Sequence, residues 1–174
     1  MTQDERFMEE AISLAKQAEA LGEVPIGCVI TKGDTIVGRG YNRRETGKTA
    51  LGHAELMAIE DACKTLGGWR LWQCRMYVTL EPCPMCAGAI INARIPVVVY
   101  GAKDPKAGSV HSVVDLFALP YNHKPQVIGG VLEGPCGAML RNFFRTLRMR
   151  KKEAKAAGET AENIDKNPIS GYDK

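Results

Sequence analysis

The chain has 174 residues, of which 45% are hydrophobic and 25% charged, a length and composition typical of one folded globular domain. No apolar run approaches the roughly 18 residues needed to span a bilayer, and the polar, acidic N-terminus is unlike a secretory signal, so we expect a cytoplasmic protein that does not associate with membranes. The net charge of +3 is too small to indicate nucleic-acid binding by itself. In the cytoplasm the six cysteines should be reduced thiols or metal ligands.

The chain begins with a predicted helix followed by a hairpin. Apolar residues recur at helical spacing from Phe7 to Ala18, and Gly22 suits the helix end. Residues 24–30 and 35–41 are short β-branched runs on either side of a Lys-Gly-Asp turn, a pattern that predicts two antiparallel strands. A polar loop at 42–52 should follow.

The middle of the chain alternates helices with strands. A second helix should begin near His53 and end at Gly67, and its apolar face is expected to be Leu56, Ile59, Ala62, Cys63 and Leu66. The elements expected next are a strand at 76–80, a helix at 84–93 opened by a proline, and a buried strand at 96–100.

The last third predicts a helical piece at 113–119, a weak strand at 126–131 and a long basic helix that begins at 134–135 and passes Arg150. Residues 141–155 hold seven basic side chains and one acid, which indicates either a phosphate-binding helix or a solvated face. We expect residues 1–155 to form the folded domain and residues 156–174 to be a polar, disordered tail. The alternation of strands and helices predicts the α/β class, with helices packed on a central sheet.

Two short motifs carry most of the chemical information. One is His53-Ala54-Glu55, and the other is the Cys-x-x-Cys pair Cys83 and Cys86, which opens a predicted helix. Residues three apart on a helix are neighbours, and a helix N-terminus favours thiolates. One imidazole and two thiolates give three metal ligands, and catalytic zinc sites characteristically have three protein ligands and keep the fourth position for water.

Glu55 is the further polar group of this constellation. It lies two residues after His53, and in the first helical turn both side chains can reach a metal at the helix tip. A carboxylate beside the metal rather than on it is suited to general acid–base chemistry.

Blander interpretations exist for each motif. A lone Cys-x-x-Cys is commonly half of a structural zinc site or a redox pair, and a lone His-x-Glu carries little information. A structural zinc site needs a fourth protein ligand. None of the remaining candidates lies at a convincing spacing from the motifs; they are Cys28, Cys63, Cys74, Cys136, His111 and His123. Cys28 and Cys63 fall on apolar faces and are expected in the core. The combined pattern therefore favours a catalytic zinc site.

At these motifs the chain resembles the cytidine deaminase superfamily, whose signature is H-x-E followed by P-C-x-x-C. Flanking blocks resemble the branch that converts adenosine to inosine at the wobble position of a tRNA anticodon. The resembling blocks are residues 22–27, 41–45, 53–55, 79–88, 100–104, 122–123 and 143–145. The resemblance implies a three-layer fold with a mixed five-stranded sheet flanked by helices. It also implies a homodimer with its sites near the subunit interface.

The resemblance also implies roles for individual residues. His53, Cys83 and Cys86 would hold one Zn²⁺ per subunit, and Glu55 would shuttle protons. Asn42 would contact the base or ribose of the target. Asn122 and His123 would line the pocket or hold a flanking nucleotide. The residues that would contact the anticodon stem-loop are Asp104, Lys106, Phe144, Arg145 and Arg148.

Two rival functions stay open at this point. The zinc motif also suits a deaminase of a free nucleobase, nucleoside or nucleotide, of the cytosine or guanine type, although the basic last helix favours a polymer. A zinc-stabilised RNA-binding module without catalysis would need a fourth protein ligand and would make Glu55 dispensable.

Overall fold

A computed structural model describes residues 1–158 and shows a five-stranded sheet with helices on both faces. Its helices and strands are α1 Gln3–Ala20, β1 Gly27–Lys32, β2 Thr35–Tyr41, α2 Ala54–Leu66, β3 Cys74–Leu80, α3 Pro84–Ala93, β4 Val97–Ala102, β5 Gln126–Gly129 and α4 Glu133–Ala156. A short 3-10 helix at Leu116–Ala118 stands where the sequence predicted a longer helical piece. The tail expected at 156–174 lies, from residue 159 onward, outside the described residues.

The sheet is mixed, as expected, with strand order β2-β1-β3-β4-β5. The strand β1 pairs antiparallel with both β2 and β3, whereas β3, β4 and β5 run parallel. Parallel neighbours need a crossover, and α3 supplies it between β3 and β4. The three-layer α/β architecture is therefore confirmed.

The helices divide between the two faces of the sheet. One core cluster joins β1, β3 and β4 to α2 and α3, and its central side chains include Met76, Ile90 and Tyr100. The other cluster packs α1 and α4 against the opposite face, through Phe7 and Cys136 among others. The N-termini of α2 and α3 thus come to lie on the same side of the sheet.

The buried face of α2 differs from the expected one. The expected face contained the bulky side chains, but Leu56 and Ile59 are only half-buried and Leu66 is exposed. Ala62 of the expected face is buried as predicted, and it meets the sheet together with Ala54 and Ala58, spaced four apart.

Small residues on the strand explain this contact. A Cβ atom at Gly38 would lie 2.4 Å from the Ala58 carbonyl oxygen, and one at Gly40 would lie 2.1 Å from the Ala54 carbonyl oxygen. The helix therefore rests on the bare backbone of β2, a contact that a search for large apolar residues overlooks.

The segment before β1 also departs from the sequence prediction. Residues 24–26 were expected to be strand, but β1 begins at Gly27. Val24 is buried in a separate small cluster with Phe143 and Leu147 of α4. Its apolar character therefore reflects contact with the last helix rather than membership of the sheet. Within residues 1–158, helices long and apolar enough to cross a membrane are absent.

Candidate active site

The two sequence motifs meet at adjoining helix starts. His53 is the residue that precedes α2, Cys83 is the residue that precedes α3, and Cys86 lies in the first turn of α3. Pro84 occupies the first position of α3, where its fixed φ suits the helix and its missing N–H costs nothing. The backbone N–H groups of both helix starts favour negative charge at this point.

The three side chains have the spacing of a metal site. The His53 Nδ1 atom lies 3.5 Å from the sulfur of Cys83 and 3.5 Å from the sulfur of Cys86. A tetrahedral zinc with Zn–S of about 2.3 Å and Zn–N of about 2.0 Å requires a sulfur-to-nitrogen distance of about 3.5 Å. Among residues 1–158, this is the one cluster of at least three such groups, and its ligand atoms all lie within 4.8 Å of one another. The donor set therefore fits zinc.

Only one of the three groups, the Cys83 thiol, has its pKa shifted towards the deprotonated form that binds a metal. The hydrogen bond from the Cys86 thiol and the neighbouring His53 lower the pKa of Cys83 to about 4, against the opposing effect of burial. The same shared hydrogen bond, with burial, raises the pKa of Cys86. The hydrogen bond to Cys83 raises the pKa of His53. One thiolate is thus present at neutral pH, and a bound cation would draw the proton from the other.

Glu55 lies beside this cluster and is buried, with 4% of its surface exposed. Burial raises its pKa to about 7, against a smaller lowering by its own backbone N–H and by His53. Its carboxyl group is hydrogen-bonded to Cys86. A carboxyl group that titrates near neutral pH can both accept and return a proton, which is what a general acid–base catalyst does.

Asn42 follows β2 and is 3% exposed. Its side-chain N–H₂ donates to the Val24 carbonyl at 3.3 Å, and its side-chain oxygen accepts from the Arg44 backbone N–H at 3.2 Å. These bonds fix the amide orientation. Asn42 directly follows β2 and His53 directly precedes α2. The two residues are held together because α2 packs on Gly38 and Gly40 of β2.

The loop after β4 holds Asp104 and Lys106. The Asp104 carboxylate accepts from the backbone N–H groups of Lys106 and Ala107 at 3.0 and 3.2 Å. It therefore caps its own turn, while the Lys106 side chain is exposed. Of these two residues, Lys106 is therefore the one whose charged side chain is accessible to a ligand.

Asn122 and His123 do not join the cluster within one chain. The His123 Nε2 atom lies 2.8 Å from the Ile95 carbonyl oxygen, just beyond the C-terminal end of α3. A ten-residue helix is about 15 Å long, so this end of α3 is well separated from the end that carries Cys83. Asn122 is exposed beside it.

The expected contact residues of α4 form a surface of their own. Phe144 is half-buried and meets Phe143 edge-on at 5.4 Å between ring centres. The Arg145 guanidinium donates to the side-chain oxygen of Asn142 at 3.0 Å, and Arg148 is exposed. Phe144 packs against the small cluster of Val24, Phe143 and Leu147. None of the expected contact residues Phe144, Arg145 and Arg148 belongs to the group of metal-binding side chains found in residues 1–158.

One buried acid beside the cluster was missed. Glu81 is 1% exposed and lies two residues before Cys83. The signal available in the sequence was an acid placed directly before Pro82 at the end of a buried strand, where an uncompensated charge is costly.

Comparisons with known proteins agree with this geometry. Residues 1–102 match the family model of the cytidine and deoxycytidylate deaminase zinc-binding region. A tRNA-specific adenosine deaminase of Bacillus subtilis is 51% identical over 156 residues, which cover 89% of this chain and 97% of the relative.

Solved structures give the same picture. One from studies of A-to-I editing by tRNA:A34 deaminases at the wobble position is 43% identical, with a TM-score of 0.75, and covers 78% of this chain and 99% of its own. A guanine deaminase of Bacillus subtilis is 39% identical, with a TM-score of 0.57, over 65% of this chain and 72% of its own. The fold, the donor set at the two helix starts and these matches together place the chain in the zinc-binding cytidine and deoxycytidylate deaminase family, among the tRNA-specific adenosine deaminases.

Proposed function

We propose that this chain hydrolytically deaminates adenosine to inosine at the wobble position of a tRNA anticodon. The observation that carries the proposal is the buried Glu55 carboxyl beside a donor set of one imidazole and two thiols. Two relatives named above support the choice of a tRNA adenosine: the tRNA-specific adenosine deaminase of Bacillus subtilis, 51% identical in sequence, and the tRNA:A34 deaminase of known structure, 43% identical in sequence.

His53, Cys83 and Cys86 would hold one zinc ion per subunit. Bound zinc supplies a Lewis acid that makes water nucleophilic at neutral pH. Glu55 would accept one proton from the attacking water and deliver it to the adenine ring at N1. It would then accept the second proton from the hydroxyl group added at C6 and deliver it to the departing amino group, which leaves as ammonia. The buried position of Glu55 keeps these protons from exchanging freely with solvent. The target base has to leave its stack first, which is cheaper in a single-stranded loop than in a duplex.

The decisive experiment uses a short anticodon stem-loop with adenosine at the wobble position. Purified protein should convert it to inosine, whereas Glu55→Gln should retain its zinc and its unfolding midpoint and lose turnover by about three orders of magnitude, as expected when a general acid–base group is removed. Glu10→Gln, an equal loss of charge at an exposed site on α1, is the control. Wild-type-like turnover by Glu55→Gln would refute the assignment.

The rival of a free-base deaminase has support of its own, because the Bacillus subtilis guanine deaminase is 39% identical over 65% of this chain. The same assay should therefore include free adenosine, cytidine and guanine. Product from a free compound and none from the stem-loop would transfer the proposal to small-molecule deamination. The rival of a non-catalytic zinc module is disfavoured because three, not four, side chains meet in the described part of the chain.

We further propose that Asn42 orients the target nucleotide and that Lys106, Phe144, Arg145 and Arg148 contact the stem-loop. Asp104 would act through the turn that it caps. The separation of Asn122 and His123 from Cys83 suggests that they meet the RNA away from the reacting base or across a homodimer. The tRNA substrate implies a cytoplasmic enzyme. Light scattering of the zinc-loaded protein tests the homodimer, which predicts twice the 19.0 kDa chain mass.

A further inference from the structure

The loop that follows β4 is fastened to the metal-ligand segment by one buried carboxylate. Glu81 directly follows β3, and its backbone N–H donates to the Ala102 carbonyl at 2.9 Å. Its side chain is 1% exposed, yet it has neither arginine nor lysine among its hydrogen-bond partners in the described residues. All of these partners belong to residues 104–112, here termed the Glu81 loop.

The contacts span both ends of the Glu81 loop. At its start, the Asp104 backbone N–H donates to Oε2 at 3.1 Å. At its end, Ser112 donates twice, from its backbone N–H to Oε1 at 2.8 Å and from its hydroxyl to Oε2 at 2.5 Å. One carboxylate therefore closes a nine-residue segment upon itself.

Two further features tie the same loop to the ligand segment. The Ser109 backbone N–H donates to the carbonyl of Pro82 at 2.9 Å. Gly108 passes so close that a Cβ atom there would lie 2.4 Å from the Glu81 carboxyl carbon. The loop backbone thus lies directly on residues 81–82, and Cys83 follows immediately in the chain.

We propose that Glu81 is a positioning residue that holds the RNA-contacting loop in fixed register with the metal-ligand helix. The inference rests on the proposed function, because Lys106 lies on this loop as a candidate anticodon contact. A wobble adenosine has to reach the metal while its neighbours are held by the protein, so the distance between loop and metal decides productive binding. Hydrogen bonds from backbone N–H groups to a carboxylate are stronger than hydrogen bonds between neutral groups. The bonds to Glu81 therefore restrict movement of the loop relative to residues 81–82.

The test is Glu81→Gln, compared with Glu10→Gln as an equal charge change on an exposed surface. Glutamine keeps the shape but replaces one acceptor oxygen with a donor that faces existing donors. We expect the KM for the anticodon stem-loop to rise about tenfold, with kcat within about twofold and zinc content unchanged. Hydrogen exchange at the Asp104 and Ser112 amides should accelerate in the variant, with or without RNA.

Two outcomes would overturn the proposal. If zinc is lost and kcat falls at constant KM, Glu81 serves the metal ligand and not the loop. If KM and amide exchange both stay at wild-type values, the link has no positioning role. The exchange measurement is independent of the substrate, so a wild-type protein that fails to deaminate the stem-loop refutes the proposed function without deciding this inference.

Ser112→Ala keeps the test decisive if Glu81→Gln does not fold. It removes only the hydroxyl donor and leaves the backbone N–H in place, so a rise in KM of about threefold is expected. Combining it with Gly108→Ala, which forces the loop off the carboxylate, should give less than the product of the single effects because both changes break the same contact. Fully multiplicative effects, or an unchanged KM in both variants, would overturn the proposal.

Discussion

The contact between α2 and the glycines of β2 makes a strong prediction for Gly40→Ala. The added Cβ atom would lie 2.1 Å from the Ala54 carbonyl oxygen and 2.6 Å from the Ala58 backbone nitrogen. Both partners are backbone atoms, so neither can rotate away. Ordinary contact requires a separation of at least 3.4 Å, and the first turn of α2 must therefore move outward by roughly 1 Å.

That displacement carries His53 and Glu55 with it. Overpacking of this kind costs about 2 kcal/mol of unfolding free energy, and a shift of about 1 Å in catalytic groups costs about a hundredfold in rate. Urea unfolding and stem-loop deamination measure the two effects on one preparation. Gly134→Ala is the matched control, since a Cβ there would meet no described atom within 4 Å. A Gly40→Ala protein with unchanged stability and turnover would refute the account of helix packing.

Further predictions concern the metal, the RNA surface and the opposite face of the sheet. Cys86→Ala should reduce zinc to well below one ion per chain, measured by elemental analysis after dialysis, and full occupancy would contradict the ligand set. Arg148→Gln should weaken stem-loop binding and reduce the slope of log affinity against log salt by about one; an unchanged slope would mean that Arg148 does not contact phosphate. Burial and a hydrogen bond to Asp4 raise the pKa of Tyr77 from 10.0 to about 12. Since the unfolded tyrosine ionises first, the corresponding stability of about 3 kcal/mol is complete below pH 10 and is lost as the pH rises through 12. Tyr77→Phe should lack this alkaline decline.

Much of the architecture could be predicted, because the structure that short sequence patterns favour locally is also the structure adopted in the folded protein. The bounds of β2 and α3 follow from the sequence, since a hairpin turn precedes β2 and Pro84 opens α3. The order of elements, the α/β class and the mixed sheet were also predictable, the last through family resemblance. The gathering of His53, Cys83 and Cys86 into one cluster agrees with the ligand prediction, whose catalytic roles await the experiments above.

The remaining features depend on contacts between distant segments. Periodicity weights large apolar residues, so it selected Leu56 and Leu66 for the buried face of α2. It included Ala62 but overlooked Ala54 and Ala58, which rest on Gly38 and Gly40. Such a contact is visible only when helix and strand are placed together. The role of Glu81 could not be predicted for the same reason. The backbone N–H groups that donate to its carboxylate lie 23 and 31 residues further along the chain.

The candidate ligands come from two helix starts that lie 30 residues apart in the chain. A cation shared between them would act as a cross-link and close a loop of that length, as a disulfide does in a secreted domain. For a loop of this size the chain-entropy model gives a stabilisation of about 3–4 kcal/mol. Metal supply and folding are then coupled, because the free energy of metal binding adds to the free energy of unfolding. In a cell short of zinc a larger fraction of the chains would be unfolded at any time, so the amount of protein would fall as well as its turnover.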